Sequence, residues 1–151
     1  MAPVKKNAIP GLIINGIIAV VGGIGGYMIL RSFIENGFES DTDFSGAGEM
    51  GIVLLLVASM IYVVAAIPLL YSIGAGISAF FKLLQLLTGL WGFAVPSVIV
   101  DCLGLVINFN LFAISLSTYE GWIAAIPLGI LMALSVITVV FDFKTFIEKD
   151  Y

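Results

Sequence analysis

Asp101 is the residue whose type and position most demand a chemical explanation. Eighteen uncharged residues separate it from Lys82 on one side, and eighteen separate it from Glu120 on the other. A carboxylate at hydrocarbon depth is costly, so acids in apolar spans face other helices and mark proton or ion paths. Ser97, Asp101, Gly104, Asn108 and Ser115 follow a spacing that puts them on one helix face. Asn15, in an earlier apolar stretch, is the second buried amide expected. Asp101, Asn108, Asn15 and Ser97 are therefore the candidate intramembrane polar site.

Two uses of that site stand side by side. In the first, Asp101 takes up a proton or cation, Asn108 and Asn15 are secondary ligands, and Ser97 and Ser115 line a route. In the second, Asp101 bonds to Asn15, Tyr62 or a backbone group and sets helix register, since interhelical polar bonds average only about 0.6 kcal/mol. No basic partner or second acid is legible beside Asp101 in the sequence.

Other chemistries lack their residues. The chain has no His and one Cys, Cys102. Zinc sites, HExxH metalloproteases, paired-carboxylate proteases, haem ligation and thiol redox pairs all need more than that inventory. No catalytic, metal or cofactor-binding residue is assigned, no cofactor is expected, and the chain reads as a non-enzyme.

The elements that must position Asp101 follow from composition. Of 151 residues, 61% are hydrophobic and 11% charged, and the mean hydropathy is +1.18. A soluble domain is about 45–50% apolar and about 25% charged, and one this small leaves much of its surface in water. A soluble enzyme, a nucleic-acid binder and a disordered tail are excluded. The charges cut the chain into apolar runs of 24, 32, 18, 18 and 21 residues, and a bilayer core of about 30 Å needs about 20 helical residues. No ten-residue alternation of the kind that builds barrels is present.

The expected fold is an all-α integral membrane protein, a single domain built as a four-transmembrane-helix antiparallel bundle. Its spans fall at about 9–33, 51–72, 94–116 and 121–141. An interfacial amphipathic helix at about 77–91 lies between spans 2 and 3. Ser78, Lys82, Gln85 and Thr88 form a narrow polar stripe there, which suits a helix with Lys82 in the headgroups and Trp91 as anchor. Pro10, Pro96 and Pro127 stand near span starts, where a missing N–H costs little. Pro68 falls inside span 2.

With both termini cytoplasmic, Lys5, Lys6, Lys82, Lys144 and Lys149 lie inside and only Arg31 outside, as the positive-inside rule demands. The N-terminal apolar stretch is too long for a signal-peptide core and is read as a retained span. The lack of any possible intrachain disulfide fits a prokaryotic plasma membrane. The outer loop, 34–49, is acidic. Its Asp41, Asp43 and Ser45 begin like a calcium loop, but Ile52 stands where the chelating glutamate belongs.

Small-residue stripes complete the pattern. Gly22 and Gly26 form a GxxxG pair, and Gly129 and Ala133 lie on a second stripe in span 4. Such faces let helix backbones approach closely. Two functions follow as expectations. One is a small multi-pass protein acting by helix packing, as subunit, accessory or immunity-type partner of another membrane protein, or as a homo-oligomer. The alternative is a small ion- or proton-coupled transporter or channel using Asp101. The partners expected are the lipid bilayer and another membrane protein or a second copy; nucleic acid is not among them.

Overall fold

Four helices account for almost all of the described residues of the computed structural model, which covers 2–35, 48–117 and 122–148. They are α1 (Pro3–Glu35), α2 (Gly48–Thr88), α3 (Ala94–Ser117) and α4 (Trp122–Ile147). Each contains a stretch long and apolar enough to cross a membrane. Most of the acidic outer loop, including Asp41, Asp43 and Ser45, lies outside the described residues.

Helix ends follow local chemistry. Pro3 opens α1, where its fixed φ is already helical and its missing N–H is not needed. α2 runs for 41 residues, about 60 Å at 1.5 Å per residue, and it continues as helix through Pro68. It stops at Gly89, which takes φ +76° and donates its N–H to Gln85 O at 2.8 Å. Only glycine enters that left-handed region freely, so this is a glycine C-cap. Thr88 Oγ1 then accepts the Leu90 N–H at 3.2 Å, and a single 3-10 turn, Trp91–Phe93, leads into α3. The Trp91 ring meets Phe146 of α4 edge-on, with centroids 6.0 Å apart.

Two expectations about these elements are corrected. Residues 77–91 do not form a separate interfacial helix. They continue α2 and then turn into α3, and Lys82 is fully enclosed instead of standing in the headgroups. Ser78, Lys82 and Gln85 of the polar stripe point inward, where α3 and α4 offer carboxylates, while Thr88 is exposed. α4 also extends six residues beyond the expected end at 141, which carries Asp142 into the helical interior.

The helices close on one another in a ring of contacts: α1 on α2, α2 on α3, α3 on α4, and α4 back on α1. Along α1 and α2 the paired numbers run in opposite senses: Val4 with Gln85, Asn15 with Ser78, Gly22 with Ser72, and Gly26 with Leu69. Gly26 is required by that approach. A Cβ there would lie 2.8 Å from Leu69 N and 3.1 Å from Pro68 C, both backbone atoms.

The interior is polar and the exterior apolar. Among the described residues the buried apolar side chains are only Val4, Ala8, Ile18, Ala75, Ala94 and Ala125, whereas Lys82, Gln85, Asn108, Thr138 and Asp142 are fully enclosed or nearly so. Large apolar side chains such as Val21, Ile24 and Met60 point outward. That inverts the usual soluble pattern and fits an apolar solvent.

Candidate functional site

Three helices bring charge to one point. Lys82 of α2 places its ammonium 2.6 Å from Asp101 Oδ2 of α3 and 2.8 Å from Asp142 Oδ2 of α4. It also donates to Ser78 Oγ at 3.2 Å and makes a short contact with Ser97 Oγ. α1 completes the cluster through Asn15, whose Nδ2 donates to Asp101 Oδ1 at 3.0 Å and to Ser78 Oγ at 2.9 Å. The Ser78 and Ser97 hydroxyls are 2.9 Å apart. Lys82 and Ser97 are completely enclosed, and Asp142 is 1% exposed.

Local sequence explains how the lysine gets there. Ser78 and Lys82 are four residues apart, so they share a helix face. The lysine stem runs over Gly11 of α1, where any Cβ would collide with Lys82 Cε. A side chain at position 11 would therefore force the lysine stem to shift. Asp101 is seven residues into α3, about 10 Å along the axis from Ala94.

Electrostatics leave the cluster unbalanced. One ammonium faces two carboxylates, so with all three groups ionised the cluster sums to one negative charge. Removing ions from water costs several kcal/mol each, and only close pairing with satisfied hydrogen bonds offsets it. Lys82 has four acceptors around its three N–H donors, and Asp101 is bonded from two sides. A proton or a cation received by the carboxylates would bring the sum to zero.

Polar layers flank the cluster above and below. On the side of the α2 C-terminus, Gln85 Nε2 donates to Val4 O at 2.8 Å and to Thr145 Oγ1 at 3.5 Å. Gln85 Oε1 is buried without a hydrogen-bond partner. Beyond it, Asn7 donates to Glu148 Oε2 at 2.9 Å. That donation holds the Glu148 carboxyl below its ordinary value, with Lys144 contributing in the same direction. On the other side, Asn108 Nδ2 donates to Tyr71 OH at 2.8 Å and to Ser135 Oγ at 3.0 Å.

The structure gathers Asp101, Asn15 and Ser97 of the expected site and places Asn108 in the separate Tyr71–Ser135 layer. Asn15 is indeed bonded to Asp101, whereas Tyr62 is exposed. Among the small-residue positions, Gly22 and Gly26 lie against Ser72 and Leu69 of α2, and Gly129 lies against Phe112 of α3. Ala133 is exposed instead of packed.

Sequence reasoning missed Lys82 and Asp142, the partners of Asp101. The signal was present in two places. Ser78, Lys82 and Gln85 form one stripe, and Ser135, Thr138, Asp142 and Thr145 repeat at the same helical spacing on α4. No family model, no curated protein and no solved structure matches the chain.

Proposed function

We propose that the chain is a four-span antiparallel bundle in a cell membrane and works as a small proton-coupled transporter through Lys82, Asp101 and Asp142. The observation that carries this reading is the enclosed lysine between two carboxylates on different helices. Intramembrane ionisable groups in this setting are proton relays or ion sites by default, and here two carboxylates share one ammonium, which suits the second to take a proton or cation. Loading would loosen one of the Lys82 ion pairs and so couple occupancy to the packing of α4 or α3 against α2.

Lys5, Lys6 and Lys144 stand near one end of the helices and Arg31 near the other. That distribution supports cytoplasmic termini by the positive-inside rule, and the single cysteine, which allows no intrachain disulfide, fits a prokaryotic plasma membrane as the host. The packing-partner reading rested on the small-residue stripes, the short loops and the missing catalytic residues; α2 of the same chain covers Gly22 and Gly26 and Phe112 of α3 meets Gly129, while Ala133 stays exposed. A partner protein would therefore need another face.

Purified protein in liposomes with an internal pH dye, driven by a potassium diffusion potential, tests the reading. Wild type should carry protons, and Asp101→Asn and Asp142→Asn should each lower the flux by about tenfold or more, within the range lost with a proton-transfer group. Equal flux in correctly assembled variants and in wild type would make the cluster a structural device.

A further inference from the structure

Next to the charge cluster, between α2 and α3, lies a cavity of about 390 Å³. Its polar lining is Asn15, Asp101, Tyr71, Ser135 and Thr138, and the rest is aliphatic or glycine. Leu70, Leu103 and Ile107 form its lip and are 62%, 60% and 43% exposed. These lip residues belong to the apolar exterior. Asp101 and Ile107 lie about 10 and 20 Å along α3 from its start, so on the membrane reading the mouth opens onto the hydrocarbon layer of about 30 Å.

We infer that this cavity binds the substrate, a membrane-dissolved amphiphile with an organic-cation head, which enters sideways between α2 and α3 and sets its head against Asp101. The inference rests on the transport reading for its role but not for its geometry. The size falls in the range of small-molecule sites, about 300–1,000 Å³, and apolar walls with a few convergent polar groups are their usual make-up. Charge selects the head. An ionised carboxylate only accepts hydrogen bonds, and the cluster sets two carboxylates against a single ammonium. Lys82 is shared between Asp101 and Asp142, so a quaternary or protonated amine set against Asp101 supplies the second positive charge that one lysine does not, whereas an alkyl chain there supplies none. The same negative charge then serves either a proton or the cation, which makes the two compete for one site.

Binding of hexyltrimethylammonium to the full chain in phosphatidylglycerol nanodiscs, with empty discs subtracted, tests the site. Saturable binding is expected, with hexanesulfonate giving none. Asp101→Asn should weaken it about tenfold or more, the loss of one side of a desolvated charge pair. Gly74→Leu fills the cavity from α2, where an added Cβ meets only Val100 Cγ1 at an ordinary 3.6 Å, and should weaken binding to a similar degree. Leu103→Trp, which blocks the exposed lip, serves if Gly74→Leu does not assemble. Discs containing phosphatidylethanolamine distinguish the source: competition with the probe identifies a lipid ammonium as the occupant, and no competition identifies a free amphiphile. Absence of saturable binding, or binding indifferent to charge and to both cavity variants, overturns the inference. Proton flux measured in parallel, with hexyltrimethylammonium supplied on the opposite side so that exchange can run, separates the two readings. Flux sensitive to Asp101 without cation binding removes only the cavity, and cation binding without such flux removes only transport.

Discussion

Lys82 and Asp142 are separated by 60 residues and meet at 2.8 Å inside the helix assembly. Their contact joins the last turns of α2 to those of α4, while the same ammonium holds Asp101 of α3 at 2.6 Å. A single side chain thus ties three helices together at one level. Asn15 adds the fourth through its bonds to Asp101 and Ser78. The geometry makes the lysine the member whose loss is felt most, because both carboxylates depend on it.

Lys82→Met should therefore destabilise the protein by about 3–5 kcal/mol, the usual cost of leaving buried charges without their partner. Adding Asp101→Asn and Asp142→Asn to that variant should recover much of the loss, since no unpaired charge then remains. Unfolding by sodium dodecyl sulfate in mixed micelles measures both. A Lys82→Met protein as stable as wild type would mean that the carboxylates do not rely on the ammonium.

Two neighbouring glycines of α1 give a sharper contrast. Gly26→Ala must push Leu69 and Pro68 backbone atoms away, from distances of 2.8 and 3.1 Å, and overpacking of this kind costs about 1–3 kcal/mol. At Gly25 an added Cβ meets nothing within 4 Å, so Gly25→Ala should cost nothing. The same unfolding titration compares them, and equal losses at both positions would contradict the observed α1–α2 approach.

Glu148 supplies a pH-dependent tie between the ends of α1 and α4. Its carboxyl is held below the ordinary value, first by the Asn7 donation. The folded state therefore binds the Glu148 proton less readily than the unfolded chain does. The tie is fully present above the ordinary carboxylate value, about 4.3, and is lost as pH falls through the lowered one. Carbon-13 titration of the Glu148 carboxyl should find a midpoint below the ordinary value, and Asn7→Ala should move it back up. A midpoint indifferent to Asn7 would show that the amide is not bonded there.

Much of the architecture can be read from residue order because hydropathy and helical spacing are local properties. The long apolar runs between charges announce four helices. The inward face of α3 follows from Ser97, Asp101, Asn108 and Ser115 alone, and all four are buried. Asn15 as a partner of Asp101 was legible too, as an amide on a small-residue face. The glycine cap at Gly89 is a local device of the same kind, though it only shows its purpose once α2 is seen to run to Thr88.

The direction of the 77–88 stripe was a different problem. A narrow polar face with one lysine satisfies its charge equally well in headgroups or against buried carboxylates, so the pattern by itself is neutral between them. Composition and periodicity give the apolar stretches and the polar side of each, but they do not show that the span before residue 72 and the stripe at 77–88 are one continuous α2. Which polar sides meet is decided by pairing at distances of 19 and 60 residues along the chain, and only tertiary packing brings Lys82, Asp101 and Asp142 to one point. The physical reason is that helix formation depends on neighbours within a turn, whereas a buried charge is tolerated only where an opposite charge from elsewhere in the chain arrives to meet it.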